Sequence, residues 1–432
     1  MKTIVAQSTP PIASAIAVIR LSGDQALALT ARAFSGFKKE VKPRVAYYGT
    51  LDVGTIRDDC LCVYFCAPAS YTGEDVVEIY CHGSVAITMA IIEYFIKNGA
   101  KQAERGEFTR RAFENGKLDL TESEAVIDLI NARSEAEARS AYDQLNGTLS
   151  KIITDLQDYV TTTIAKTEAA IDYPEEDVEE FASGQLKSDL LELKERLEAL
   201  KGTYDAGKIM RDGVRVAIVG KPNAGKSKLM NALLGYERSI VTEIEGTTRD
   251  YVEESFNYKD LRFRITDTAG LRETDDVVEK KGVERSFDIA KSADIVLLVK
   301  EAGSDSCDVI DAKTVITVEN KIDIKSPGAS ADVCISALTG EGIDLLKERL
   351  YDVAKTLTGV GGGCINNVRH LQAVIEAEEC LFRALSSLED GMPLDLISDD
   401  VMGVYRALGS ITGITGSDKI VGEIFSRFCV GK

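Results

Sequence analysis

The clearest chemical signal in the sequence is a glycine-rich run that ends in a lysine and a serine. Residues 220–227 read Gly-Lys-Pro-Asn-Ala-Gly-Lys-Ser and match G-x-x-x-x-G-K-[ST] at every fixed position. The apolar segment 214–219 precedes the run, and a helical pattern starts near Lys228. Backbone N–H groups in such a loop hold phosphate oxygens, while the lysine contacts the β- and γ-phosphates and the hydroxyl binds Mg²⁺. The run therefore predicts a nucleoside triphosphate site with Lys226 on the phosphates and Ser227 on Mg²⁺.

Four further motifs follow that suit a guanine nucleotide. Residues 267–270 (Asp-Thr-Ala-Gly) come after a second apolar strand and can reach the Mg²⁺ shell and the γ-phosphate. In the motif at 320–323 (Asn-Lys-Ile-Asp), the Asp323 carboxylate can accept hydrogen bonds from guanine N1 and N2, which adenine does not offer. Residues 336–338 suit a guanine O6 contact through backbone N–H groups, and a threonine in 247–250 can bind Mg²⁺ when the γ-phosphate is present. Together the five motifs predict GTP.

The predicted GTP contacts extend from the phosphate loop to the guanine motifs. A lone match to the first motif would also suit a simple helix-capping turn, but the ordered set of five leaves almost no room for that alternative. The contacts are Asn223, Ala224, Gly225, Lys226, Ser227, Lys228, Thr242, Glu243, Ile244, Glu245, Gly246, Thr247, Thr248, Asp267, Thr268, Ala269, Gly270, Asn320, Lys321, Asp323, Ser336, Ala337 and Leu338.

The elements that must position these residues follow from the periodicity of apolar side chains. A helix over 84–98 accompanies short strand-like segments at 3–6, 16–21, 61–65 and 76–80. Helical spacing then predicts one long helix that opens with a capping box at Thr121 and ends at the break 172–174, and a second from about Val178. From Val214, alternating strands and helices predict a parallel sheet, and helical spacing returns after the glycine-rich residues 359–363.

The predicted fold class is therefore α/β plus all-α. We expect a mixed α/β N-terminal domain over residues 1–119. A helical domain would comprise residues 120–210 and 359–432, interrupted by an inserted P-loop (Ras-like) domain over residues 211–358.

Composition excludes several classes of protein. The chain has 432 residues with 51 basic and 70 acidic side chains, a net charge of −19, which argues against nucleic-acid binding through a broad basic face. No apolar run approaches the ~18 residues that span a bilayer. Nine cysteines without a Cys-x-x-Cys pair suggest reduced thiols in the cytoplasm, and two histidines make a His-rich metal site improbable.

Several motifs carry a family resemblance. Residues 223–227, 246–250 and 267–272 resemble the TrmE/Era-like GTPases, and motifs in both flanks resemble the MnmE (TrmE) family of tRNA wobble-uridine modification GTPases. The flanking motifs cover the chain in order: Ser70-Tyr71-Thr72-Gly73-Glu74-Asp75, Cys81-His82-Gly83, residues 106–113, Asn115-Gly116-Lys117-Leu118-Asp119-Leu120, Ala170-Ile171-Asp172-Tyr173-Pro174 and Phe428-Cys429-Val430-Gly431-Lys432.

The resemblance implies a specific reaction and specific partners. Its N-terminal domain would dimerise and bind a tetrahydrofolate derivative, 5-formyl- or 5,10-methylene-tetrahydrofolate. As a homodimer in a heterotetramer with the flavoprotein MnmG, which supplies FAD, the chain would add a (carboxymethyl)aminomethyl group at C5 of the wobble uridine of tRNA. GTP hydrolysis would require K⁺ and dimerisation of the G domains. No membrane partner is implied, and the expected location is the cytoplasm.

The resemblance also assigns the metal ligands and a catalytic glutamate. K⁺ would be held by the Asn223 side chain and the backbone carbonyls of Thr242, Ile244 and Thr247, and Mg²⁺ by Ser227 and Thr248. Glu279 would orient the attacking water through a second water, since an ordinary carboxylate is too weak a base to deprotonate water at neutral pH. Without the family, a solvated glutamate of the acidic run 275–279 would be the preferred interpretation of Glu279.

The folate contacts implied by the resemblance are Arg20, Glu78, Lys117 and Lys432. A carboxylate such as Glu78 suits the paired donors of a pterin, and folate carboxylates suit arginine and lysine. Taken alone, Arg20 or Lys117 would more often be an ordinary surface residue. Cys429 has two even interpretations, a catalytic thiol at the modification site or a packed cysteine at a helix end.

Three departures from the family pattern weaken parts of this assignment. Lys228 stands where the family usually has a small hydroxyl residue, and it adds a cation at a helix N-terminus. Residues 11–16 replace a glycine-containing segment near Arg20. The short connection between the strands at 295–299 and 314–318 leaves room for a very short helix or for none.

Two rival functions stay open at this point. A ribosome-assembly GTPase would carry a KH-type module with a basic Gly-x-x-Gly loop, and the helical pattern after residue 363 does not show one. A G-domain scaffold that signals by dimerising would not need folate, so folate binding discriminates against it.

Overall fold

Two six-stranded sheets organise the part of the chain that the structure describes. The computed structural model describes residues 2–38, 40–172, 176–235, 253–267, 290–304, 312–328, 331–359, 363–415 and 418–432. Two units are distinguished: Met1–Ile127 with Leu145–Leu186 and Cys380–Lys432, and Asp128–Gln144 with Lys187–Glu379. The predicted fold class, a mixed N-terminal region with a helical region and a P-loop region, is confirmed. The predicted domain boundaries stay predictions.

The described strands are short, and most follow apolar or alternating sequence. They are β1 (Ile4–Gln7), β2 (Ser14–Ser22), β3 (Ala46–Asp52), β4 (Arg57–Phe65), β5 (Val76–Gly83), β6 (Lys101–Gln102), β7 (Val214–Gly220), β8 (Glu253–Tyr258), β9 (Leu261–Asp267), β10 (Ile295–Glu301), β11 (Val315–Asn320) and β12 (Val333–Ile335).

The described helices include several long elements in the middle and at the end of the chain. They are α1 (Ala26–Ala33), α2 (Val85–Lys97), α3 (Glu107–Glu114), α4 (Leu120–Asn131), α5 (Glu135–Leu145), α6 (Thr148–Asp172), α7 (Glu176–Gly202), α8 (Tyr204–Asp212), α9 (Lys226–Leu234), α10 (Ile343–Thr358), α11 (Val368–Glu389), α12 (Leu394–Thr412) and α13 (Asp418–Ser426). In the described part of the chain, none of them is long and apolar enough to cross a membrane.

The first unit is built on a mostly antiparallel sheet with the strand order β3-β4-β5-β2-β1-β6. Alternation along β2 and β5 sends Ile19 and Ile79 to a core that α1 and α2 cover, together with Phe95 of α2. The opposite face carries Arg20 and Glu78, which stand directly across from each other in the β2–β5 pairing. One sheet face is therefore a packed core, and the other is available for chemistry.

The long helix predicted from Thr121 to residue 172 is wrong, because the chain forms three helices there, α4, α5 and α6. The predicted capping box is also displaced: Asp119, not Thr121, caps α4 by accepting the Glu122 N–H (2.8 Å), while the Glu122 carboxylate accepts the Asp119 N–H (2.9 Å). Ser134 starts α5 in a similar way by accepting the Glu137 N–H (3.2 Å). A cap inside the apolar pattern interrupts the helix although the periodicity continues across it.

The second unit holds a sheet with the strand order β12-β11-β10-β7-β9-β8. Its strands pair in parallel, as predicted, except that β8 runs antiparallel to β9 at the edge. The carboxyl ends of parallel strands meet at one edge of a sheet, where open α/β folds bind ligands. The ends of β7, β9, β11 and β12 therefore bring the glycine-rich run and the guanine motifs to the same edge.

Candidate functional site

The phosphate loop connects the end of β7 to the start of α9. Its backbone is left-handed at Asn223 (φ +64°) and at Gly225 (φ +93°), and left-handed residues of this kind let neighbouring N–H groups form an anion-binding concavity. The Lys226 ammonium lies over the loop and donates to the carbonyls of Gly220 (2.8 Å) and Lys221 (2.9 Å). These carbonyls hold the ammonium at the mouth of the loop, where a phosphate would meet it.

Gly225 is required where the loop touches the first guanine motif. A Cβ atom at this position would lie 2.2 Å from the Asn320 side-chain nitrogen. That nitrogen donates to the Ala224 carbonyl at 2.8 Å, and Asn320 is only 2% exposed. The close approach of the two segments therefore depends on a residue without a side chain.

The guanine motifs are joined to each other by the same asparagine and by a buried serine. Asn320 Oδ1 accepts the N–H groups of Lys321 (2.8 Å) and Ala337 (3.0 Å). The Ser336 hydroxyl is fully buried and donates to Asp323 Oδ1 at 2.7 Å. This bond fixes an otherwise exposed carboxylate in one orientation, as recognition of guanine N1 and N2 requires.

The remaining described residues of this site lie at its rim. Lys321 has a left-handed backbone (φ +71°), and its ammonium pairs with Glu301 at the end of β10. Ser227 and Lys228 are exposed in the first turn of α9, and Leu338 is also exposed. Lys228 thus has solvent around it, which lessens the unfavourable effect of a cation at this helix end.

Several predicted residues lie outside the described residues. Asp267 is the last residue of β9, and its strand position is described but its side chain is not. The others are Thr242, Glu243, Ile244, Glu245, Gly246, Thr247, Thr248, Thr268, Ala269, Gly270 and Glu279. The assignments of K⁺, of the Thr248 contact to Mg²⁺ and of the water-orienting glutamate therefore stay predictions.

A second candidate site lies on the free face of the first sheet. Arg20 on β2 donates to Glu78 Oε1 on β5 from Nε (2.9 Å) and Nη2 (2.7 Å), and both side chains are mostly buried. The Arg20 guanidinium also lies over two aromatic rings, 5.2 Å from the Tyr71 centroid and 5.6 Å from the Phe108 centroid. Such a charged pair inside an aromatic frame can recognise a flat, hydrogen-bonding ligand.

Tyr80 is a residue of this site that the sequence motifs did not reveal. Its hydroxyl donates to Glu78 Oε2 at 2.6 Å. Arg20 binds the other carboxylate oxygen, Oε1, so both oxygens of Glu78 have a hydrogen-bond donor. Burial and the Glu78 hydrogen bond raise the pKa of Tyr80 to about 12, which keeps the hydroxyl protonated as a donor at neutral pH. The available signal was position: Tyr80 is two residues after Glu78 on the same strand and therefore on the same face.

Lys432 approaches the Arg20–Glu78 pair through the segment that follows α13. Its backbone carbonyl accepts the Phe108 N–H at 3.2 Å. The pKa of Lys432 is lowered, chiefly by burial and then by the Arg20 charge, while Cys429 and Glu78 act in the opposite direction. Lys432 therefore lies close enough to Arg20, Glu78 and Cys429 to interact with them electrostatically. The Cys429 thiol is exposed rather than packed.

Lys117 is placed differently from the other predicted folate ligands. It is exposed, and a Cβ atom at Gly73 would lie 3.3 Å from its Cγ. Asn115 fixes this neighbourhood by donating to the Thr72 carbonyl at 2.7 Å. Lys117 thus lies beside the loop that carries Tyr71, whereas Arg20, Glu78 and Lys432 form the centre of the site.

Comparisons with known proteins cover the whole chain. Two family models match: GTP-binding protein TrmE N-terminus over residues 3–117 and MnmE helical domain over residues 120–429. The tRNA modification GTPase MnmE of Clostridioides difficile (strain 630) is 39% identical over 454 residues, which covers 100% of this chain and 99% of that protein. The tRNA modification GTPase MnmE of Streptococcus pyogenes serotype M4 (strain MGAS10750) is 40% identical over 451 residues, covering 100% and 98%.

Solved structures also show similarity to part of the chain. The G domain of the T. maritima FeoB iron transporter is 27% identical and covers 33% of this chain and 99% of that chain, with a TM-score of 0.23.

Replacement of Gly225 by alanine tests the contact between the phosphate loop and Asn320. The new Cβ would collide with the Asn320 amide and would sit on a left-handed backbone, so we expect nucleotide affinity to fall by about 100-fold. Fluorescent GDP titration measures it. Gly184→Ala is the matched control, because a Cβ there meets nothing within 4 Å. Equal affinities for the two variants would contradict the required close approach.

Proposed function

Since the chain belongs to the MnmE family of tRNA modification GTPases, we propose that it acts with the flavoprotein MnmG on the wobble uridine of tRNA. The chain is a GTP hydrolase. In the proposed reaction a (carboxymethyl)aminomethyl group is added at C5 of the uridine. A tetrahydrofolate derivative supplies the one-carbon unit, and hydrolysis of GTP requires K⁺ and paired G domains. The protein would work in the cytoplasm.

One observation carries the nucleotide part of the proposal: the Asn320 amide joins the phosphate loop to the guanine loop. Lys226 would meet the β- and γ-phosphates from its place over the loop, and the α9 N-terminus would add its dipole. Ser227 and Thr248 would hold Mg²⁺. Asp323, oriented by Ser336, would select guanine.

K⁺ would supply the positive charge that stabilises the transition state where other GTPases use an arginine. Asn223 suits this role because it is an exposed residue of the phosphate loop with a side-chain oxygen that can bind a cation. Thr242, Ile244 and Thr247 would complete the shell with backbone carbonyls, and Glu279 would orient the attacking water.

The folate part of the proposal is supported by the second site. Glu78 would accept the paired donors of the pterin, and Tyr71 and Phe108 would flank its ring. Lys432 and Lys117 would meet the carboxylates of the folate. The exposed Cys429 thiol would then lie at the modification site, consistent with a catalytic role.

Dimerisation is supported by exposed apolar residues on the same sheet face. The β3–β4–β5–β2 pairing aligns Tyr48, Leu61, Tyr80 and Val18 in one row across four strands. Tyr48 is 71% exposed and Leu61 is 43% exposed, and nearby Ile16 is 60% exposed. A second copy of the chain would cover this row and complete the homodimer.

The binding of tRNA would rest mainly on the partner. With a net charge of −19, this chain has little to gain from phosphate neutralisation over a broad surface, and MnmG would supply most of the basic contacts. FAD would likewise enter only through MnmG, in a heterotetramer of two copies of each protein.

The rate of GTP hydrolysis in matched KCl and NaCl buffers tests the cation site. We expect hydrolysis to be at least about tenfold faster in KCl, because the bound cation acts only on the charge that develops in the transition state. Asn223→Ala should remove the difference and leave GDP affinity within about threefold. Asn231→Ala, in the next turns of α9, is the control that should keep it. Equal rates of the unaltered protein in both salts would contradict the proposal.

Binding of 5-formyl-tetrahydrofolate to Arg20 and Glu78 variants tests the folate site. Each of Arg20→Ala and Glu78→Ala removes charge-assisted hydrogen bonds worth about 1.5–3 kcal/mol, so Kd should rise by roughly 10- to 100-fold. Calorimetry measures Kd. Arg57→Ala, which breaks an exposed pair with Asp52 on the same sheet, should bind normally. Undiminished binding by both site variants would show that folate binds elsewhere, and absence of binding by the unaltered protein would instead favour a signalling scaffold without folate.

The oligomeric state of Leu61→Asp tests the exposed apolar row. A carboxylate buried against a second copy is costly, so the dissociation constant of the dimer should rise by roughly tenfold or more. Sedimentation velocity measures this constant. Ile324→Asp replaces an equally apolar side chain that is 72% exposed in the second unit, and it should leave the dimer intact. A Leu61→Asp dimer of unchanged affinity would show that this face is not the interface.

A further inference from the structure

A cleft of about 570 Å³ lies in the first unit between α3 and α13. Its volume is within the range, about 300–1,000 Å³, of clefts that bind small molecules. Phe425 of α13 is an apolar residue of its lining, and Lys2 and Lys101 also line it. The folate site proposed at Arg20 and Glu78 does not include this cleft.

The cleft is basic although the chain is strongly acidic. Five basic and three acidic side chains line it, a difference of 5 − 3 = +2. Each acidic side chain already has a basic partner, in the pairs Lys101–Glu104 (2.7 Å), Arg110–Glu114 (2.8 Å) and Arg111–Glu107 (2.8 Å). Within the described part of the chain, Lys2 and Arg105 make no ion pair, so they are the surplus charges.

The back of the cleft is rigid. Arg111 is buried, and besides Glu107 it donates to Glu74 Oε2 (2.9 Å) and to the Lys2 carbonyl (3.0 Å). Glu74 in turn accepts the Ser22 hydroxyl at 2.7 Å. Since Ser22 is two residues after Arg20 on β2, this chain of hydrogen bonds leads from the folate strand to the cleft.

The segment 105–108 forms a common wall of the cleft and the folate site. Phe108 packs against Arg20, while its neighbour Glu107 lines the cleft. Arg105 lines the cleft and forms a β-bridge with Val430, two residues before Lys432. The basic cleft and the proposed folate site therefore share this one segment.

We propose that the cleft binds the γ-linked oligoglutamate tail of the folate. This inference rests on the proposed folate function. Every added glutamate brings one more carboxylate, and each of the two surplus cations, Lys2 and Arg105, can meet one of these carboxylates. Arginine binds carboxylates through two parallel N–H groups, so Arg105 is the principal contact. An RNA backbone would also suit basic groups, but the cleft shares a wall with the folate site, which favours the tail.

The affinities of the full-length protein for 5-formyl-tetrahydrofolate with one and with five glutamates test the proposal. We expect the pentaglutamate to bind about tenfold more tightly, with the advantage reduced at high salt. Arg105→Glu should abolish the advantage and leave the Kd of the monoglutamate unchanged, and Lys2→Glu should act in the same direction. Arg32→Glu, an exposed charge reversal on α1, is the matched control and should keep the advantage. An unchanged GTP hydrolysis rate would verify that each variant is folded.

The outcomes separate the failure of this inference from that of the folate function. Equal Kd values for the two folates on the unaltered protein, with both bound, overturn the tail site alone. If the unaltered protein binds neither folate, the folate function is overturned, and the tail site with it. An Arg105→Glu variant that keeps the pentaglutamate advantage but loses affinity for tRNA overturns the tail site in favour of an RNA contact.

Discussion

The buried side chain of Asn320 is the interaction on which the nucleotide site depends. One amide group binds three backbone groups, in the phosphate loop, in its own motif and in the guanine loop. Each lost bond would leave a buried polar group at a cost of about 1–3 kcal/mol, so the loops hold one another in register. Phosphate binding and guanine recognition consequently depend on the same hydrogen bonds of Asn320. Gly225 is part of this arrangement because only a residue without a side chain leaves room for the Asn320 amide.

In the first unit, the residues of the candidate site are held in place on the face of a sheet instead of at its edge. Arg20 and Glu78 are fixed by strand pairing, since residues directly across antiparallel strands keep a constant separation. Tyr80 and the two aromatic rings then limit how either charged group can turn. The orientation of the pair therefore does not depend on a loop.

Sequence reasoning succeeded where one segment contains its own signal. The phosphate loop, the strands that precede the guanine motifs and the pairing of strand with helix in the second unit could all be predicted. It failed where a helix cap or the packing of another element, rather than the apolar pattern, determines the structure. The cap at Ser134 interrupts an unbroken apolar pattern, and the Asp119 cap lies two residues before the expected one. Tyr80 and Phe108 belong to no motif that marks them as ligands. They gain their places only because β5 and α3 pack beside Arg20.

The segment after α13 crosses the beginning of the chain, and this has a consequence for how the protein is made. The Ser8 hydroxyl donates to the Gly431 carbonyl, a contact across 423 residues. At about 5–20 residues per second, a ribosome needs roughly 20–85 s to synthesise the chain between them. During that interval the first sheet exists without its last segment, while most of the second unit, Lys187–Glu379, can complete its own sheet. The sheet of the second unit can therefore be complete before the first unit receives the segment that follows α13.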